Sequence, residues 1–169
     1  MRSSFPESGS RDLSTVEETY AFGAELGAAL EAGDVVILDG PLGAGKTTLT
    51  QGVAKGMQVK GRVTSPTFVI ARVHRSTVGG PDLVHVDAYR LLDEGGANSG
   101  DPLGELDALD LDTELEDAVV IAEWGGGLVE QIAERYLFIS IDREPAEYAD
   151  ADQDLSLIHI SEPTRLLSI

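Results

Sequence analysis

Short apolar runs alternate with polar, glycine-rich breaks along this chain, the rhythm of an α/β domain. Val35-Val36-Ile37-Leu38, bounded by Gly33-Asp34 and Asp39-Gly40, predicts a short buried strand. Residues 47–55 behind the following glycine-rich turn can carry a helix. Upstream, Val16, Tyr20, Gly23, Leu26, Gly27 and Leu30 recur on one helical face, and the small residues among them would let that helix sit close to a sheet. Its start has the spacing of a capping box, either Ser14 with Glu17 or Thr15 with Glu18, with Leu13 as a staple.

Further on, Phe68, Ile70 and Val73 alternate, and residues 77–82 read as a turn. Leu83-Val84-His85-Val86-Asp87 then predicts the next strand. Two adjacent β-rich segments point to a sheet that is partly antiparallel. A strongly apolar strand is predicted over residues 118–124 and another over 136–141, with helices over 102–109 and 128–134. The single domain is expected to span residues 13–154. Residues 1–12 read as a loose leader. Residues 155–169 change character abruptly and read as a non-native tail or, from their Ile/Leu content, as a last strand, with no chemistry in either case.

The chemistry concentrates in Gly40-Pro41-Leu42-Gly43-Ala44-Gly45-Lys46-Thr47, with Thr48 behind it. This is the G-x-x-x-x-G-K-[ST] pattern in its required strand–turn–helix setting. Its glycines let the backbone bend around an anion, so that N–H groups and the helix N-terminus face phosphates. Lys46 can reach the β- and γ-phosphates, and the Thr47 hydroxyl can ligate Mg²⁺. Pro41, Leu42, Ala44 and Thr48 complete the cradle.

Two carboxylates end apolar strands, Asp87 and Glu123. In a P-loop protein Asp87 suits a ligand to metal-bound water, and Glu123 suits the metal's water shell or the attacking water. Thr67, after Pro66, can touch a phosphate, a metal-bound water or neighbouring backbone. Trp124, the only tryptophan, can pack against a base, a partner or the core. His85 reads as a strand residue in a local hydrogen-bond network.

Composition narrows the partners. With 12 Lys+Arg against 30 Asp+Glu the formal net charge is −18, so a phosphate backbone is repelled at long range and RNA is expected to be engaged through a partner. No apolar run approaches the roughly 18 residues of a membrane span. The chain has no cysteine, which excludes thiol chemistry and fits a cytoplasmic enzyme.

Four marks occur together: residues 39–49 around the P-loop, Val63-Thr64-Ser65-Pro66-Thr67-Phe68, His85-Val86-Asp87-Ala88-Tyr89-Arg90-Leu91, and Ile121-Ala122-Glu123-Trp124. In order and spacing they resemble the TsaE family, small bacterial P-loop ATPases of tRNA threonylcarbamoyladenosine synthesis. The resemblance implies a P-loop NTPase-like three-layer sandwich with a mixed parallel and antiparallel sheet. It implies ATP and Mg²⁺ as cofactors, slow hydrolysis, and a partner complex of TsaB and TsaD that engages the tRNA. Carried onto this chain, Lys46, Asp87 and Glu123 are the catalytic group, Thr47 and Glu123 face the metal, and Thr67 and Trp124 lie near the nucleotide. Gly125-Gly126-Gly127 stands where the family often has another acid. A small-molecule kinase and a non-hydrolysing nucleotide-dependent module are the alternatives; no acceptor motif favours the former. The Asn/Thr-Lys-x-Asp guanine-recognition pattern is absent from the expected later region.

Overall fold

The computed structural model describes residues 1–2, 5, 8–64, 71–87, 114–123, 135–143 and 156–161. Its elements are β1 (Ser8–Leu13), α1 (Val16–Ala29), β2 (Val35–Asp39), α2 (Lys46–Met57), β3 (Ala71–His74), β4 (Asp82–Asp87), β5 (Ala118–Glu123), β6 (Leu137–Arg143) and β7 (Ser156–Ser161). The strands form one sheet in the order β1-β7-β6-β2-β5-β4-β3. β6, β2, β5 and β4 run parallel, while β3, β7 and β1 pair antiparallel at its two sides. The chain is thus an α/β sandwich with a mixed central sheet, as the adjacent β-rich segments implied.

The parallel strands are apolar on both faces, which is why they read as continuous hydrophobic runs. On one face Val36, Leu38, Leu83, Val119, Ile121, Leu137, Ile139 and Ile141 pack with Phe22, Leu26, Leu49 and Val53 of the two helices. On the other, Val35, Ile37, Val84, Val86, Val120 and Ala122 form a second cluster with Phe138. Helices expected over 102–109 and 128–134 lie outside the described residues.

Helix α1 starts at Thr15, so the second capping register is the one used. The Glu18 N–H donates to Thr15 Oγ1 at 3.1 Å, and the Thr15 N–H donates back to Glu18 Oε2 at 3.2 Å. The buried face runs through Thr19, Phe22, Gly23, Leu26 and Gly27, whereas Val16 and Tyr20 are exposed. The expected stripe is therefore rotated at its N-terminal end. The glycines also serve a different neighbour from the one expected. A β-carbon on Gly23 would stand 2.3 Å from the Leu49 carbonyl oxygen, and one on Gly27 2.2 Å from that of Val53. Gly52 and Gly56 of α2 meet Tyr20 and Ala24 equally closely. Four small residues let α1 and α2 pack backbone to backbone, which ties the P-loop helix to α1.

Two segments read as outside the core are in the sheet. Residues 8–12, taken as part of a loose leader, belong to β1, and Phe5 is buried. Residues 156–161 of the abrupt tail form β7 between β1 and β6. The sequence signal for β1 is weak, since it is almost wholly exposed and polar, whereas the Ile/Leu content of residues 155–169 leaves a last strand open.

Candidate functional site

The site lies where the parallel strands end. Register aligns Leu38 and Asp87 with Glu123, so β2, β4 and β5 finish at one carboxyl edge. That edge is where open α/β sheets place ligands. From Asp39 the chain turns through Gly40, Gly43 and Gly45, all at positive φ (142°, 79° and 104°). Gly40 is further constrained, because a β-carbon there would meet the Ile141 carbonyl oxygen of β6 at 2.5 Å. Gly45 is the N-cap of α2 and offers no side-chain cap to the first N–H groups of the helix.

Lys46, the first residue of α2, turns back across this loop. Its Nζ donates to the carbonyl oxygens of Gly40 at 2.6 Å and Pro41 at 2.8 Å. Burial holds its ammonium below the usual lysine range, against the opposing pull of Glu123 and Asp39. A phosphate at this place would add to the negative charge that Glu123 and Asp39 already present to it. Thr47 follows, and its hydroxyl donates to Glu123 Oε1 at 3.3 Å. The same carboxylate oxygen accepts from His85 Nε2 at 2.9 Å. Glu123 and His85 are both buried, at 3% and 0% exposure.

Leu42, Gly43, Gly45, Lys46, Thr47, Thr48 and Glu123 line one cleft of about 530 Å³, including solvent at its mouth. The structure therefore gathers much of the expected cradle around one opening. Pro41 and Ala44 belong to the same loop, and Leu42 in it is 89% exposed. Asp87 is buried at the same sheet edge beside Glu123 but does not line the cleft. Thr67 and Trp124 lie outside the described residues, as do Gly125 to Gly127.

The donor set fits a magnesium nucleotide. Thr47 and Glu123 offer hard oxygens, and among the described residues no group of three or more His, Asp or Glu could hold a metal by protein alone. Mg²⁺ suits such a site, since it commonly takes one or two protein oxygens and fills the rest with phosphate and water.

Two features escaped the sequence reading. His85 is a strand residue in a hydrogen-bond network, as expected, but that its partner is the site carboxylate itself was not legible. The usable signal was that β4 and β5 both end in an acid, which puts His85 two residues inside the same edge. The other feature is charge segregation. From Gly40 to Pro81 there is no Asp or Glu, while Lys46, Lys55, Lys60, Arg62, Arg72 and Arg75 all fall there. The acidity of the whole chain therefore does not extend to the segment that opens with the P-loop.

The family model for "Threonylcarbamoyl adenosine biosynthesis protein TsaE" matches residues 13–151. A tRNA threonylcarbamoyladenosine biosynthesis protein TsaE from Mycobacterium tuberculosis H37Rv is 57% identical over 136 residues, covering 80% of this chain and 79% of that one. The protein of the same name from Streptomyces coelicolor is 51% identical over 140 residues, covering 83% and 89%. Among solved structures, Bacillus subtilis YdiB superposes with a TM-score of 0.63 and 28% identity over 93% of this chain and 88% of that one.

Proposed function

The chain belongs to the TsaE family, and on that premise we propose that it is the ATP-binding, slowly hydrolysing subunit that supports threonylcarbamoyl modification of tRNA adenosine by a TsaB–TsaD complex. The observation that carries the reading is the P-loop at the carboxyl edge of the sheet, with Lys46 at its centre and Thr47 joined to Glu123 across the cleft. The domain proposed to do this is residues 13–154, nearly the span that the family model covers, with β1 and β7 completing its sheet from outside those bounds.

In this reading the backbone N–H groups of residues 43–48 and the Lys46 ammonium hold the β- and γ-phosphates of ATP. Thr47 and Glu123 hold Mg²⁺, which when bound neutralises charge on the phosphate oxygens. Glu123 also orients the attacking water, with Asp87 beside it as a second carboxylate of the catalytic group. By the family resemblance Thr67 and Trp124 are further nucleotide-binding residues. Weak activity without TsaB–TsaD follows if the partner complex completes the water and phosphate geometry, since phosphoryl transfer depends on positioning and charge rather than covalent help. Among the described residues no helix is long and apolar enough to cross a membrane.

The test is multiple-turnover modification of tRNA by purified TsaB–TsaD, supplied with its threonylcarbamoyl donor. Adding this chain with Mg-ATP should raise the number of tRNAs modified per complex, and Lys46→Met should not. Equal turnover with and without the chain would refute the supporting role.

A further inference from the structure

The hydrogen bond from His85 to Glu123 joins a residue that takes no part in the cleft wall to the carboxylate that does. The two sit on adjacent parallel strands, with His85 in register with Ile121 and Asp87 with Glu123. Register partners share a face, so His85, Ile121 and Glu123 all face the helices. Leu83 and Ile121 on that face are core residues. A histidine there replaces an apolar side chain and is completely buried. Burying an imidazole in a core costs free energy unless it is hydrogen-bonded, and here only one ring nitrogen has a partner among the described residues. That partner is Glu123 Oε1 at 2.9 Å.

Oε1 also accepts from Thr47 at 3.3 Å, so two donors from different elements converge on one oxygen. An acceptor with both donors in place has little freedom to rotate, which fixes the second oxygen of the carboxylate as well. The geometry points to His85 as a positioning residue: its Nε2–H holds Glu123 from behind, so that Thr47 and Glu123 meet an Mg²⁺–phosphate group as one preset oxygen pair. This inference rests on the magnesium-nucleotide reading and adds a residue to it. His85 touches neither nucleotide nor metal and acts only through Glu123. The unpartnered Nδ1 agrees with that role, because a ring with its hydrogen on Nε2 presents only a lone pair at Nδ1, the cheaper group to leave buried.

Outer-shell partners of metal-facing groups typically change metal affinity or activity about 10- to 100-fold when removed. The readout is therefore the gain in affinity that Mg²⁺ gives to a fluorescent ADP analogue, measured on the purified chain alone. His85→Phe keeps a ring but donates nothing. His85→Asn is polar but too short to place a donor at Nε2, while His85→Gln reaches that place. Phe and Asn should lose most of the Mg²⁺-dependent gain, about tenfold or more, and Gln should keep it within about threefold. Metal-free binding should change little in all three. A purely structural histidine would instead leave the Mg²⁺ gain intact, or lower metal-free binding together with it, and either result overturns the inference. Absence of any Mg²⁺ gain in the wild-type chain would remove the magnesium reading itself, a distinct failure. Ring ¹⁵N spectra of the intact protein give a check that needs no folded variant: the Nε2–H tautomer is expected, and an Nδ1–H tautomer for His85 would overturn the proposal.

Discussion

The Lys46 ammonium donates to the Gly40 carbonyl oxygen at 2.6 Å, across the loop that the two residues begin and end. The contact closes the P-loop on itself and buries the Lys46 cation, which in the proposed reading meets a phosphate. Burial and anion recognition are thus two faces of the same side chain. Lys46→Met keeps the apolar stem and removes the charge. Hydrogen bonds to charged groups contribute about 1.5–3 kcal/mol, so nucleotide binding should weaken roughly 10- to 100-fold. Thermal stability should change little, because the lost loop contacts are offset by the relief of a buried charge. Equilibrium binding and a melting curve on the same sample check both statements.

The helix pair makes a harsher prediction. Gly27→Ala would improve helix propensity by about 1 kcal/mol, yet its methyl would stand 2.2 Å from the Val53 carbonyl oxygen. Backbone cannot yield as a flexible side chain can, so α1 and α2 must separate. Overpacking of this kind costs about 1–3 kcal/mol, and the net effect should be destabilising by urea unfolding. An unchanged or raised midpoint would show that the helices do not need this approach.

His74 gives the protein a pH dependence with a definite sign. It is buried on β3, and burial is the main cause that keeps its pKa below the ordinary histidine value. The Lys60 carbonyl, accepting from its Nδ1, favours the charged ring, while His85 and Arg72 oppose it. The unfolded chain therefore takes up this proton first as pH falls below about 6.5. Stability should decline as pH falls through that window. His74→Asn can keep a donor toward Lys60 without titrating. Urea midpoints at pH 7.5 and 5.5 should fall further in the wild type than in this variant.

Residues 156–161 present the plainest contrast between sequence and structure. They form the strand to which β1 pairs, and they join it to β6. A chain ending at Asp154 should therefore lose the protection of β1 amides in hydrogen exchange and melt at a lower temperature. Equal protection and melting would mean that the tail is an inert addition.

These cases show where legibility ended. Strand β2, the P-loop and α2 were readable because each carries its own local cause: an apolar run, glycines at positive φ, and a motif whose spacing is fixed by phosphate. The strand-end acids were readable for a similar reason, since Asp87 and Glu123 interrupt apolar runs. Their relation to His85 and Thr47 was not, because it depends on β4 and β2 flanking β5, a long-range fact. The role of Gly23 and Gly27 was half legible: small residues on a helix face announce a close neighbour without saying which. β1 was illegible because it has no alternating apolar face, and β7 was half legible, because its Ile/Leu content announces a strand but follows a sharp change of composition.

Phosphate release from Mg-ATP by the purified chain, alone and with TsaB–TsaD, tests the central claim most directly. The account predicts slow release alone, a several-fold rise with the complex, and loss of both in Lys46→Met and Glu123→Gln. No release above background from a folded chain beside an active complex, or release that survives both substitutions, would contradict it.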